Sequence, residues 1–151
     1  MNPLTGNFTD IAHVIQLALA PVFLLTGIAG ILNVMTGRLA RIIDRGRYFE
    51  EAWARLDLAA RHSVQAELLN LERRRKLASW AINAGTFAAL LVCLVVATLF
   101  TEALLNLPLR WLAGVFFIGS TAALIAGLTS FLREVHLATS TVRIPTSMLE
   151  R

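Results

Sequence analysis

The chain has 151 residues, of which 56% are hydrophobic and only 16% charged, with a mean hydropathy of +0.65 and a formal net charge of +4. A soluble domain of that length needs a polar shell that so few charges do not supply, which excludes an ordinary water-soluble fold. The single cysteine, Cys93, excludes a disulfide framework and a cysteine-ligated metal cluster.

Residues 1–10 read as a short polar lead-in, with Asn2-Pro3 and Gly6-Asn7 as breakers and Thr9 or Asp10 as the N-cap of the first helix. They carry no Lys or Arg, and the apolar run after them is too long for the core of a cleaved signal peptide. The N-terminus is therefore expected to stay attached and to be translocated.

No Asp, Glu, Lys or Arg occurs in 11–36, 77–101 or 111–132, stretches of 26, 25 and 22 residues. A helix needs about 20 residues to cross the roughly 30 Å hydrocarbon core, so the spacing predicts three transmembrane helices over those ranges. The first is unlike the others: it holds His13, Gln16, Pro21, Thr26, Gly27, Gly30, Asn33 and Thr36. Polar groups inside a membrane are costly unless they face protein or water, and so mark helix contacts or a pathway. One side of this helix, at spacings of three and four, reads Asp10, His13, Leu17, Ala20, Leu24, Gly27, Ile31, Val34, Arg38, Arg41 and Arg45. In a ring of subunits that stripe is a candidate pore lining, with Asp10 at one mouth and arginine rings at the other. The competing explanation is plain anchoring: arginines at the end of a span contact anionic lipid head groups in any case, and Asp44 can neutralise part of the cluster through Arg41.

Segment 37–76 holds ten of the fourteen basic residues. Leu39, Ile42, Ile43, Tyr48 and Phe49 continue an apolar face in step with the first span, so that helix is expected to run on to about Trp53. A turn is expected in 55–62 and a second helix from near Ser63, with Val64, Leu68, Leu71 and Ala78 as its apolar stripe and Glu72 with Lys76 as an i,i+4 pair. This makes 37–76 a helical hairpin that leads straight into the second span. The basic excess places it in the cytoplasm, with the N-terminus outside and the C-terminus inside. The high pI is then topological and does not point to nucleic acid.

In the second span Ala81, Gly85 and Ala89, and in the third Gly119, Ala123 and Gly127, recur every four residues. Small residues at that spacing let helix backbones approach closely in lipid, so all six are candidate helix-packing positions. One such face is accounted for by packing inside a chain. Two faces on three helices leave room for contacts between chains, which favours a homo-oligomer. Trp80 and Trp111 fall where interfacial anchors belong. The link Asn106-Leu107-Pro108 is short enough to make spans two and three antiparallel neighbours, and Ile144-Pro145 ends any helix in the tail, 133–151.

An enzyme is not expected. His13, His62 and His136 fall on separate segments, and there is no zinc-protease pattern, phosphate-binding glycine loop or nucleophile with a base at helical spacing. No cofactor or metal is expected either.

The run 15–25 (Ile-Gln-Leu-Ala-Leu-Ala-Pro-Val-Phe-Leu-Leu), then Gly27 to Asn33 and 38–45 (Arg-Leu-Ala-Arg-Ile-Ile-Asp-Arg), resembles a bacterial multi-pass inner-membrane family known as a domain of unknown function, family 2721. Glu67, Leu71 and Arg73-Arg74-Arg75 before the second span, and 131–135 after the third, share the resemblance, which covers roughly 10–143. It implies a bacterial inner-membrane location and carries no activity to transfer. The sequence thus predicts one all-α membrane domain over 1–151, three spans with the first two extended into a cytoplasmic hairpin. The leading functional reading is a homo-oligomer in contact with membrane lipids, with ions as its cargo if the first helix lines a small channel. The alternative is a non-conducting scaffold or accessory subunit whose hairpin binds a partner, through Tyr48, Phe49 or Trp53, or the membrane surface.

Overall fold

The structure is a computed structural model; it describes the backbone of residues 3–53 and 58–140 and the side chains of 13–53, 61–62 and 64–139. Three helices account for nearly all of it: α1 (Pro3–Ala52), α2 (Leu58–Leu105) and α3 (Arg110–Ser140), with no strand among the described residues. Each contains a stretch long and apolar enough to cross a membrane. At about 1.5 Å per residue, α1 (50 residues) and α2 (48 residues) are each about 70 Å long, more than twice the roughly 30 Å apolar thickness of a bilayer. Their charged ends, 38–52 and 58–76, form the arms that extend past the apolar stretches.

Two starts differ from expectation. The helix α1 begins at Pro3 and includes 3–10, with no capped start at Thr9 or Asp10. Proline is compatible with a first helical turn, where its missing N–H would be unpaired anyway, and Gly6 and Asn7 cost helix propensity without breaking the chain. The second helix begins at Leu58, five residues before Ser63. Leu58-Ala59-Ala60-Arg61 are good helix formers, and nothing in them stops a helix propagating back from 63. Residues 54–57, which include the first part of the expected turn, the side chain of Ser63 and the residues from 141 onward, with Ile144-Pro145, lie outside the described residues.

Pairings give the topology. Leu32 meets Gly85 while Arg45 meets Glu67, so α1 and α2 run antiparallel. Gly119 meets Leu91 while Ser130 meets Leu77, so α2 and α3 do the same. The helix α2 lies between the other two, and α1 touches α3 mainly through side chains. Two apolar clusters result. Ile42 and Phe49 of α1 pack with Leu71 and Ala78 of α2, joined by Leu39, Val64 and Leu68; of the stripes expected of the hairpin arms, Ile43 and Tyr48 are instead exposed, turned off the seam by their register. Deeper in the spans, Ile28 packs with Ala88 and Val92, with Leu24, Leu25, Leu32, Ala123 and Leu124 around them. The link to α3 is closed by Asn106 in the left-handed conformation (φ 55°), which ends α2, and by an Arg110–Glu102 ion pair at 2.9 Å.

On α1 the buried positions, Ala18 apart, recur every seven residues: Pro21, Ile28, Met35, Ile42 and Phe49. That repeat keeps one seam facing α2 along the whole helix. The opposite side is bare. Of the large side chains there, Phe23 is 73% exposed and Val34 56%.

Candidate functional site

The most unusual side chain in the molecule is Glu134, a carboxylate with no exposure at all, just past the third apolar stretch. An isolated buried carboxylate is strongly disfavoured, and this one is held by two cations from two other helices. Arg74 of α2 donates from Nε (3.0 Å) and Nη2 (2.8 Å) to Glu134 Oε1. Arg38 of α1 brings its Nε to 3.4 Å from Oε2 and lays its guanidinium over the Phe131 ring, 5.5 Å from the centroid. The Arg38 contact is an ion pair without hydrogen-bond geometry, so Oε2 accepts no hydrogen bond from protein. One turn earlier on α3, the Ser130 hydroxyl donates to the Leu77 carbonyl at 3.3 Å. One carboxylate therefore ties all three helices together at the base of the arms.

The local sequence explains the convergence. On α3 the positions Ala123, Gly127, Ser130 and Glu134 follow at spacings of four, three and four, so Glu134 continues the packing face of that helix. On α2, Arg74 similarly continues the stripe of Ala78, Ala81 and Gly85. A carboxylate and a guanidinium extending two faces already in contact are brought together by the register.

Around this clamp the charge is unbalanced. Arg38, Arg41 and Arg74, with Asn33, Val34 and Gly37, line an open groove of about 630 Å³. Arg41 has no ion pair among the described residues, and Asp44, three residues on, is not paired with it. Farther along the arms, Arg45 donates from Nε (3.2 Å) and Nη2 (3.0 Å) to Glu67 and stacks on Phe49. Glu72 is bonded by Arg75 from Nε (2.8 Å) and Nη2 (2.9 Å), with the expected Lys76 contact longer at 3.6 Å. Tyr48 faces outward and Trp53, 37% exposed, carries the Arg61 guanidinium over its ring at 5.8 Å, whereas Phe49 is buried in the cluster between the arms.

The proposed pore stripe flanks the packing seam of α1: Ala20, Gly27, Val34 and Arg41 precede a seam position by one residue, about 100° around the helix, and Leu17, Leu24, Ile31, Arg38 and Arg45 precede one by four, about 40°. His13, Leu17, Ala20, Gly27, Val34, Arg41 and Arg45 are exposed, and Leu24, Ile31 and Arg38 lie at its edge, half-buried. Asp10 falls within α1, with its side chain outside the described residues. Of its three arginines, Arg38 and Arg45 are engaged with α3 and α2, which leaves Arg41.

The small-residue positions are used inside the chain. A Cβ on Gly127 would lie 3.1 Å from the Ala81 carbonyl oxygen and 3.3 Å from Ala84 Cβ; one on Gly119 would lie 3.3 Å from Leu91. One on Gly85 would lie 2.9 Å from the flexible end of Leu32. Ala81 is fully buried, and Ala89 and Ala123 are half-buried. By contrast, a Cβ on Gly27, Gly30 or Gly37 of α1 meets nothing within 4 Å.

The polar residues of α1 divide in the same way. Thr26 donates to the Val22 carbonyl (3.4 Å) and Thr36 to those of Leu32 and Asn33 (both 3.0 Å), so both hydroxyls are satisfied by their own helix. The amides of Gln16 and Asn33 are exposed and find no partner among the described residues. Sequence reasoning flagged all four alike. It passed over Glu134 and Arg74, whose signal was their place on the packing stripes.

No curated protein and no solved structure matches the chain. A family model does, over residues 18–144, a range that takes in both apolar clusters, the clamp and the groove. The chain thus belongs to the family described as Protein of unknown function (DUF2721).

Proposed function

We propose that this membrane protein works as a homo-oligomer whose copies meet through the bare side of α1. What carries the reading is Gln16, an unpartnered amide that shares the outward face of α1 with Phe23 and Gly30. A primary amide in hydrocarbon is costly unless it hydrogen-bonds or reaches water, and glycines without neighbours leave room for a second backbone to come close. The small residues of α2 and α3 are occupied within the chain and add nothing to this contact. In a closed ring, the adjoining stripe from Leu17 to Arg41 would face the common axis and supply a narrow, largely apolar path for ions with Arg41 at one end. The basic arms lie in the cytoplasm of a bacterial cell on this reading, with the N-terminus outside, following the excess of Arg and Lys. No catalytic step is involved.

Native mass spectrometry of the purified protein tests the assembly directly. Four or more copies are expected, and a monomer would end this reading. If the ring conducts, cysteines at Ala20, Gly27 and Val34 in a Cys93→Ala background react with water-soluble thiol reagents. Protection at all three leaves an oligomer without a pore.

A second reading is supported by the arms. Tyr48 is 63% exposed and Leu69 69%, and on another side of the arms a groove of about 450 Å³ between α1 and α2 includes Ile42, Ile43, Gly46 and Leu68. These suit a scaffold that docks a partner. Phe49 belongs to the arm cluster, so the docking residues on this reading are Tyr48 and Trp53.

A further inference from the structure

The groove beside the Glu134 clamp has more positive charge than the chain neutralises. Its lining brings three guanidiniums, Arg38, Arg41 and Arg74, to one place, and among the described residues the only carboxylate that meets any of them is Glu134. Three positive charges against one negative leave a surplus of two. Arg74 is satisfied by Glu134, Arg38 only partly so, and Arg41 has no ion pair among the described residues. Three cations held this close repel one another unless an anion sits among them. Gly37 brings no side chain into the groove, and the unbonded Asn33 amide adds a hydrogen-bond donor at its apolar end.

Depth identifies the anion. Asn33 and Val34 belong to the first charge-free stretch, and Arg38 and Arg41 are the first charges after it. The groove therefore runs from hydrocarbon to the level of the head groups, apolar at one end and cationic at the other. A free anion would use only the cationic end. Guanidiniums match phosphate oxygens in geometry as well as charge, and basic pockets between transmembrane helices are where acidic head groups bind.

We infer that this groove is a binding site for an anionic phospholipid, its phosphodiester held by Arg38, Arg41 and Arg74 and one acyl chain lying along Val34 and the adjoining surface of α1. The site is complete within one chain and does not rest on the oligomer reading, but it is an alternative to the conducting form of the ring, in which Val34 and Arg41 would face the common axis.

The test is native mass spectrometry of the protein released from detergent containing equal amounts of phosphatidylglycerol and phosphatidylcholine. Arg41→Gln removes a groove cation that has no ion pair to lose, so the fold is expected to hold. Arg73→Gln, on α2 but outside the groove, removes the same charge as a control. The wild type should retain phosphatidylglycerol in preference to phosphatidylcholine. Arg41→Gln should lower that retention about five-fold, the effect of about one basic side chain near a head group, and Arg73→Gln should leave it unchanged. Equal losses in the two variants, or none with Arg41→Gln, would overturn the site. Displacement of the lipid by millimolar inorganic phosphate would make it a site for the free anion and overturn the lipid assignment. Subunit number is read in the same spectra, so failure of the lipid site and failure of the oligomer are seen separately.

Discussion

Two glycine-bearing faces of this molecule look alike on paper and differ in every physical respect. The seam between α2 and α3 places Gly127 against the Ala81 carbonyl and the Ala84 methyl, and it is closed at its charged end by Arg74 and Glu134. The bare side of α1 has Gly27, Gly30 and Gly37 with open space above each, and beside them an amide without a partner. The first face spends its small residues on a contact the chain already makes, and the second holds them uncovered. Small residues at helical spacing therefore reveal a face fit for close approach without saying which helix approaches it. That depends on where the face lies relative to the rest of the bundle.

The largest effect should come from breaking the charged end of the seam. Arg74→Ala leaves Glu134 buried, with only Arg38 at 3.4 Å, and should cost about 3 kcal/mol, the low end for a broken buried pair because Arg74 is partly exposed. Denaturant titration of the protein in detergent measures it. Replacing both partners, as Arg74→Met with Glu134→Leu, should recover most of that loss, because no unpaired carboxylate remains. If the double variant is as unstable as the single one, the pair does not act as a unit.

Gly127→Ala comes next. Its new methyl meets a backbone oxygen at 3.1 Å and a helix-bound Cβ at 3.3 Å, neither of which can swing aside, so α2 and α3 must separate slightly. A cost of about 1–3 kcal/mol is expected, typical of overpacking. Gly85→Ala is the contrast: its nearest atom, at 2.9 Å, is the end of the Leu32 side chain, which can rotate away. A loss for Gly127→Ala no greater than for Gly85→Ala would mean that the seam is looser than its distances imply.

How much of this was legible in the sequence follows from what each signal measures. Long gaps between charges report burial in hydrocarbon, so three helices long and apolar enough to cross a membrane could be read off directly. The apolar stripes Leu39, Ile42 and Phe49 against Val64, Leu68 and Leu71 report amphipathicity, and they are the cluster that joins the arms. The helix starts could not be placed because Pro3 and Leu58 lie in segments whose residues permit helix without demanding it. The partner of a small-residue stripe was also out of reach, since spacing fixes a face and not its neighbour. Glu134 was hidden by its setting. Following Arg133 in a basic tail it looks like solvated charge, and only its register with Gly127 and Ser130 shows that it points inward.

Ser130→Ala tests the polar part of the same seam. Its hydroxyl bonds the Leu77 carbonyl across the two helices at 3.3 Å, and interhelical hydrogen bonds of this kind in membranes average about 0.6 kcal/mol. The variant should unfold slightly earlier in the same titration. A loss above that of Gly127→Ala would reverse the order argued here and make hydrogen bonding, not close packing, the main tie between α2 and α3.

The smallest effect on the chain itself should come from the bare face. An added methyl on Gly30 meets nothing, so Gly30→Ala should change unfolding by no more than about 0.5 kcal/mol. Gly30→Leu should leave the single chain equally unharmed, because its side chain also projects away from α2 and α3. If copies meet through this face, however, the leucine occupies the space a neighbouring backbone needs, and the native mass should fall to that of a smaller assembly. The two readouts separate the possible roles of the glycine: unfolding reports contacts within a chain, and mass reports contacts between chains. A drop in mass without a drop in stability is expected. Unchanged mass with Gly30→Leu would leave the face to lipid, and the uncovered glycines of α1 would then have no part in assembly.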